Sequence, residues 1–240
     1  MRLGPLAPRP TPSDDVAAAA AAAVAALGQR PAITVVLPGG RQEQGFASLG
    51  GWAAKGAHLL RDELGLGPGD VLGVDAPPSW PLAAVALAAW WAGVALGPVA
   101  PGRPTVVHEG RSHPGGVVLR LGDAVDGGPV AATADDEAWT AAVIPYPDRP
   151  PPPGASPDVV AVIDADGRTT TQRELLAAWR DDAGALGLRR GGAAPGDAPS
   201  ILGVLAARPL VTGAATVVVA AASEEEARGL TTGDAISRWR

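Results

Sequence analysis

The stretch "VVAVIDADGRTTTQRELLAAW", Val159–Trp179, decides how the whole chain is read. Its opening run is apolar and β-branched, the composition of a buried strand. Asp164, Asp166 and Gly167 follow as turn residues, then three threonines and the start of a helix. A strand, turn and helix in this order can be a phosphate-gripping loop or an ordinary Asp-Gly turn. A phosphate loop uses glycines to let backbone N–H groups approach the ligand, hydroxyls as further donors and a lysine for charge. Here there is one glycine, two acids and an arginine, Arg168, in place of the lysine. Asp164 and Asp166 meet phosphate oxygens with like charge, and an arginine fork is not a lysine point charge. The residues therefore read as a turn between strand and helix. Gly167, Arg168, Thr169, Thr170 and Thr171 are the candidate nucleotide-binding residues if the phosphate reading holds. No catalytic residue and no metal ligand is assigned.

Working outward, an earlier stretch runs in the same frame. Gly40-Arg41 matches Gly167-Arg168, Trp52 matches Trp179, Leu59 matches Leu186, and Pro68-Gly69-Asp70 matches Pro195-Gly196-Asp197, all at one constant separation. Several matches in one frame indicate two related units of strand, turn, helix, turn and strand. The first unit reads as a helix over Asp15–Leu27, a strand over Ala32–Leu37, a turn at Pro38-Gly39-Gly40 and a helix from Ser48 to Leu64. In that second helix Leu49, Trp52, Ala53, Gly56, Leu59, Leu60 and Leu64 share one face. A turn, a strand over Val71–Asp75, a helix over Pro81–Trp91 ended by Gly93, and a strand over Val94–Val99 follow, with a further strand at Val117–Leu121. Ser13 or Asp14 is the expected cap of the first helix, with Gly28 closing it. Strands alternating with helices point to an α/β fold of two similar subdomains, with mainly parallel sheets flanked by helices. The boundaries are a loose start over 1–12, a first subdomain over 13–143, a Pro-rich linker over 144–158, a shorter second subdomain over 159–222 and a solvated acidic tail over 223–240.

Composition excludes several functions. Of 240 residues 47% are hydrophobic, enough to bury a core. The net charge of -6 argues against nucleic-acid and anionic-membrane partners, which select a basic face. With no cysteine, disulfides, thiolate zinc sites and thiol nucleophiles are all excluded. The uncharged run Pro81–Ala100 has the length of a membrane span but is interrupted by Gly93, Gly97 and Pro98, so it reads as a buried helix and strand. Asp14 and Asp15 precede the alanine-rich run where a secretory signal carries positive charge, and the expected location is the cytoplasm.

The stretch Gly40–Pro98, "GRQEQGFASLGGWAAKGAHLLRDELGLGPGDVLGVDAPPSWPLAAVALAAWWAGVALGP", resembles the N-terminal part of adenylate-forming enzymes, the AMP-binding acyl-CoA synthetases. The resemblance lies in a Gly-Arg turn, an amphipathic helix, a Gly-x-x-Pro-Gly-Asp turn, a strand, a Pro-containing loop and an apolar helix ending in Ala-Gly. Leu186–Val219 is similar to a later segment of the same enzymes, and short bacterial proteins with remote AMP-binding similarity share the pattern. The resemblance implies the N-terminal subdomains of such an enzyme, ATP or AMP with Mg as cofactor, and an acyl or nucleotide ligand. In such enzymes the place of Val159–Trp179 carries a loop of the form Thr-Ser-Gly-Thr-Thr-Gly-x-Pro-Lys-Gly. The residues here depart from it, and Lys55, the one lysine, stands on an early helix. The adenine segment, the ribose-binding acid and the mobile C-terminal domain that the resemblance implies have no room after Asp197. The expectation is a degenerate, truncated relative that has lost adenylation and acts as a binding or regulatory protein. The alternative is a residual ligase using Arg168 and Thr169–Thr171 for ATP. The protein partner is left unassigned.

Other chemistry has weaker support. His108, Glu109 and His113 lie in a loop without ligand register and read as surface residues, and His58 as a helix-surface residue. The Gly-x-Ser-x-Gly elbow of a serine hydrolase is missing. Asp135, Asp136 and Glu137 read as a solvated helix start, and Trp80, Trp90 and Trp91 as core packing rather than an acyl pocket.

Overall fold

The computed structural model describes residues 10–37, 40–113, 116–122, 136–153, 156–182, 185–189, 201–221, 224–231 and 236–239. The expected turns at Pro38-Gly39 and Pro195-Gly196-Asp197, the start through residue 9 and Asp135 lie outside these residues.

Helix α1, Val16–Leu27, is capped by Asp15, not by Ser13 or Asp14: its Oδ1 accepts from the Ala18 N–H at 2.7 Å. Ser13 instead sits one turn earlier and accepts from the Asp15 N–H. Strands β1, Pro31–Leu37, and β2, Gly40–Gly45, form an antiparallel hairpin leading into α2, Phe46–His58, which ends in a wider helical turn, Leu59–Glu63. The polar β2, "GRQEQG", carries no apolar alternation to mark it, and it stands last in the order of its sheet. Then follow β3, Val71–Asp75, α3, Trp80–Ala92, β4, Ala95–Gly97, β5, Thr105–His108, β6, Val118–Leu121, β7, Asp136–Ala138, and α4, Trp139–Val143. After the linker come β8, Val160–Ile163, β9, Thr169–Thr171, α5, Gln172–Ala177, and β10, Ala185–Arg189. A helical stretch, Gly203–Ala207 running into α6, Arg208–Thr212, leads to β11, Thr216–Val219, α7, Glu224–Leu230, and β12, Ile236–Trp239.

The fold is α/β with two sheets of mainly parallel strands flanked by helices. One sheet has the order β7-β6-β5-β3-β4-β8-β9 and the other β12-β10-β11-β1-β2. Among the described residues only the hairpins β8-β9 and β1-β2, at one end of each sheet, are antiparallel. The order β5-β3-β4-β8-β9 reproduces β12-β10-β11-β1-β2 strand for strand. In each sheet a strand-helix-strand crossover receives a hairpin donated by the other half of the sequence. β8 lies parallel to β4, and β1 lies parallel to β11. The division between sheets is thus not the division at the linker: each half completes the other's sheet. Residues 223–240, expected as a solvated tail, contribute α7, which buries Ala227, and β12, which pairs with β10.

All thirteen residues of α3 are buried, as expected for a helix apolar on every side. It packs on α2, on α1 and on the helical stretch Gly203–Ala207, and touches strands of both sheets, β4 and β1. Ser79 Oγ accepts from the Leu82 N–H, Pro81 stands in the first turn, and Gly93 at φ 83° ends the helix. Gly213 at φ 70° ends α6 in the same way, which marks the two crossovers as counterparts. Gln172, 1% exposed, ties the halves together: Oε1 accepts from the Val16 N–H at 3.0 Å and Nε2 donates to the Trp90 carbonyl at 2.6 Å. Trp90 donates in turn to the Ala161 carbonyl at 2.9 Å.

Candidate functional site

In parallel α/β sheets, ligands bind beyond the carboxyl ends of the strands. On the seven-stranded sheet that edge carries Asp75 at the end of β3, Gly97 at the end of β4, His108 at the end of β5 and Asp164 after β8. β8 is the apolar "VAVI" with Ala161 and Val162 fully buried, and its burial fixes where the following turn emerges.

The turn 164–168 is closed on itself. Gly167 N–H donates to the Asp164 carbonyl at 3.1 Å, and Asp164 N–H to the Arg168 carbonyl at 2.9 Å. Asp164 Oδ1 accepts two more backbone bonds, from Asp166 and Arg168 N–H, both at 2.9 Å. Gly167 adopts φ 79°, a conformation that glycine reaches without strain. The Arg168 guanidinium is 78% exposed and stands 3.3 Å from the Asp166 carboxylate and 4.0 Å from that of Asp164.

All five candidate residues therefore lie on one hairpin. Thr169 pairs with Ile163, Thr170 with Val162 and Thr171 with Val160. Thr171 also begins α5 in a capping box. Its Oγ1 accepts from the Glu174 N–H, while Glu174 Oε2 accepts from the Thr171 N–H at 2.9 Å. These bonds from Thr171, backbone first and hydroxyl second, hold the Glu174 carboxyl below the usual carboxylate range.

Beside this hairpin the edge carries residues that sequence reasoning did not single out. Arg111 pairs with Asp75. Arg103 Nη1 donates to the Pro98 carbonyl at 2.7 Å and lies over Gly97, where an added Cβ would meet it at 3.6 Å. The signal for both was available: arginines just before and just after a β-branched run, "RPTVVHEGR", whose strand was not recognised.

The expected loop histidines have specific partners. His113 Nε2 stands 3.3 Å from Asp136 Oδ1, and Asp136 also pairs with Arg120 at 2.7 Å. Asp136, read as solvated, has a side chain only 1% exposed, because β7 turns it inward onto Arg120. His58 is 18% exposed and bonded through both ring nitrogens. Trp80, Trp90 and Trp91 are buried in the core as expected. Among the described residues, no three His, Asp or Glu side chains converge as metal ligands, and no helix is long and apolar enough to cross a membrane.

No protein-family profile matches the sequence. A TIGR03089 family protein of Mycobacterium tuberculosis (strain ATCC 25618 / H37Rv) is 34% identical over 93 residues, which are 39% of this chain and 30% of that protein. The acetoacetyl-CoA synthetase from Streptomyces lividans superposes with a TM-score of 0.68 at 16% identity, over 90% of this chain and 40% of its own. The anthranilate CoA ligase in complex with anthranoyl-AMP does so with a TM-score of 0.67 at 12% identity, over 91% of this chain and 47% of its own. The fold is that of the AMP-binding acyl-CoA synthetases. The chain spans less than half the length of these enzymes and about a third of the curated relative. Within the acyl-CoA synthetase fold, the paired sheets and the hairpin at 160–171 are what positions the candidate residues.

Proposed function

We propose that the protein is a bacterial, cytoplasmic pseudoenzyme of the acyl-CoA synthetase fold. It keeps the two-sheet scaffold as a binding or regulatory module for an acyl or nucleotide ligand and does not form adenylates. The observation that carries this reading is the closed acidic turn 164–168. The N–H groups of Asp164, Asp166, Gly167 and Arg168 are all spent inside the turn, two of them on the carboxylate of Asp164. Gripping a triphosphate there requires opening those bonds and placing phosphate oxygens against two carboxylates. As folded, the turn offers none of these four N–H groups to the phosphates of ATP.

The competing reading, a ligase holding ATP on Arg168 and Thr169–Thr171, draws on the exposure of the Arg168 guanidinium. Two measurements on the same protein separate them. Exchange of labelled pyrophosphate into ATP, with a panel of short and aromatic acids, is expected at background. A ligand at one hundred times its Kd adds about 2.7 kcal/mol, and any rise in Tm with millimolar Mg-ATP is expected to be the same in Arg168→Ala as in the parent, because a nucleotide held elsewhere on the scaffold does not use this turn. A magnesium-dependent rise in Tm that disappears in Arg168→Ala overturns the proposal, and so does exchange above background.

A further inference from the structure

The Pro-rich linker is docked, and the docking has a register. Three side chains of α2 and its terminal turn, three residues apart, each meet a linker carbonyl, also three residues apart. Lys55 Nζ donates to Tyr146 O at 2.6 Å, His58 Nε2 meets Arg149 O at 3.1 Å, and Arg61 Nη1 donates to Pro152 O at 2.8 Å. Prolines 145, 147, 150, 151, 152 and 153 carry no N–H, and the segment runs through a turn and bends outside helix and sheet, which leaves its carbonyls open to side-chain donors. Trp91 Nε1, from the core helix α3, adds a fourth bond to Pro151 O at 3.1 Å. The Tyr146 ring lies parallel to the His58 ring, and its hydroxyl donates to Glu63.

His58 differs from its two neighbours in this ladder. Its Nδ1 faces Asp62 Oδ2 at 2.8 Å while its Nε2 faces the Arg149 carbonyl. Both partners are acceptors. A neutral imidazole has a single N–H, so it serves one of them and turns a lone pair toward the other; only the imidazolium donates to both. We propose that His58 is a proton-operated latch that holds the middle of the 144–153 strap on the body of the protein when its ring carries two protons, and lets it go when one is lost. The neutral ring keeps the charge-assisted bond to Asp62 and surrenders the one to Arg149, because a carboxylate is the stronger acceptor.

The surrounding charges bear on where the latch works. On its own helix Asp62 and Glu63 favour the cation, while Lys55 and Arg61, one turn to either side, oppose it. The strap carries Asp148 and Arg149, and Glu137 of β7 is a further acid near Tyr146. The Tyr146 phenol stays a donor throughout: its bond to Glu63 pushes its pKa up to about 12, so this anchor does not respond between pH 5 and 8. Acid closes the middle of the strap and alkali loosens it, while Lys55, Arg61 and Tyr146 keep holding the carbonyls and ring on either side; the Pro151 carbonyl bonded to Trp91, two residues from Arg149, is the contact weakened with it.

The test uses the whole chain and two readouts by NMR. One is the protonation state of the His58 ring nitrogens. The other is the exchange protection of the Trp91 indole N–H, corrected for intrinsic exchange, from pH 5 to 8.5. The expected result is a doubly protonated ring at pH 5 and a fall in Trp91 protection of at least fivefold that follows the His58 midpoint. In His58→Gln protection no longer varies with pH, and in Asp62→Asn the midpoint moves down. Protection independent of pH in the unaltered protein overturns the proposal, as does an unchanged pH profile in His58→Gln, since His108 and His113 then account for it. A ring that is neutral at pH 5 with the strap still docked overturns it as well.

Discussion

The two halves build the same arrangement of a hairpin helix against a crossover helix, but they place the notch on opposite partners. In the first half the small residue is Gly56 on the hairpin helix α2, where an added Cβ would meet Ala88 Cβ of the crossover helix α3 at 2.8 Å. In the second the small residue is Gly203 on the crossover stretch, where an added Cβ would run into the Trp179 ring, just beyond α5, more closely still. The crossovers differ in charge as well. α3 carries no ionisable side chain, whereas Arg208 on the second crossover is fully buried, with Nε 3.1 Å from Asp182 Oδ2 and Nη1 toward the Ala215 carbonyl. Complementary packing, not residue identity, is what the two halves have in common.

The charge difference is the one to break first. Arg208→Ala removes the guanidinium and leaves the nearly buried Asp182 carboxylate without it, a change expected to cost about 3–5 kcal/mol. At this chain length that lowers Tm by roughly 10 °C. Replacing the pair together, Arg208→Met with Asp182→Leu, makes the second crossover resemble the first and is expected to recover most of the loss. Thermal unfolding of the three proteins checks this; a single variant within 1 °C of the parent refutes the account of a pair essential to that helix.

The notches come next. Gly56→Ala forces α2 away from Ala88, whose Cβ is fixed to the α3 backbone, and is expected to cost about 2–3 kcal/mol. Gly203→Ala has the shorter clash but a more forgiving neighbour, because the Trp179 ring, just beyond the end of α5, shifts by side-chain rotation, which Ala88 Cβ cannot do, so about 1–2 kcal/mol is expected. The pairing is tested by rescue: Ala88→Gly is expected to restore Gly56→Ala, and Trp179→Leu to restore Gly203→Ala. Exchange of the two rescues, each failing on the other's partner, sharpens the comparison into a measured specificity.

Much of this was legible in the residues. Strand Val71–Asp75, the Ser79 cap, the terminating Gly93 and the turn nature of 164–168 follow from local rules: β-branched runs, hydroxyl caps, a left-handed glycine, Asp side chains that bond their own backbone. β2 and β9 were not legible, since "GRQEQG" and "TTT" take strand form only because β1 and β8 beside them are buried. The hairpin exchange was likewise invisible, because a frame shared by two segments says they are alike and nothing about which sheet each joins. The frame itself drifts: Trp52 lies within α2 and Trp179 just beyond α5, while Leu59 lies on the turn after α2 and Leu186 on β10. At the candidate site the five residues proposed from the motif lie on one hairpin, which the strand-turn-helix order of the sequence indicates only in part. Arg103, Arg111 and Asp75 were missed because they converge only when strands far apart in sequence lie side by side.

The seam between the halves supplies the smallest effect. Asp14, just before α1, accepts from Arg180 and Arg173 of the second half, and Arg173 also pairs with Asp158 at 3.0 Å. The hydrogen bond from Arg180, then its charge and that of Arg173, hold the Asp14 carboxyl below its ordinary value of 3.8 despite some desolvation. A carboxyl depressed in the folded state stabilises it above the unfolded value and loses that contribution as pH falls through the folded one. The contribution of this exposed clamp is therefore constant from neutral pH down to about pH 4 and fades below it. In Asp14→Asn the acid limb of the Tm profile is expected to flatten slightly, with Tm at pH 7 a little lower than in the parent. The clamp does not join the halves if the two profiles superpose below pH 4, and Gln172, buried between Val16 and Trp90, is then the tie that holds this seam.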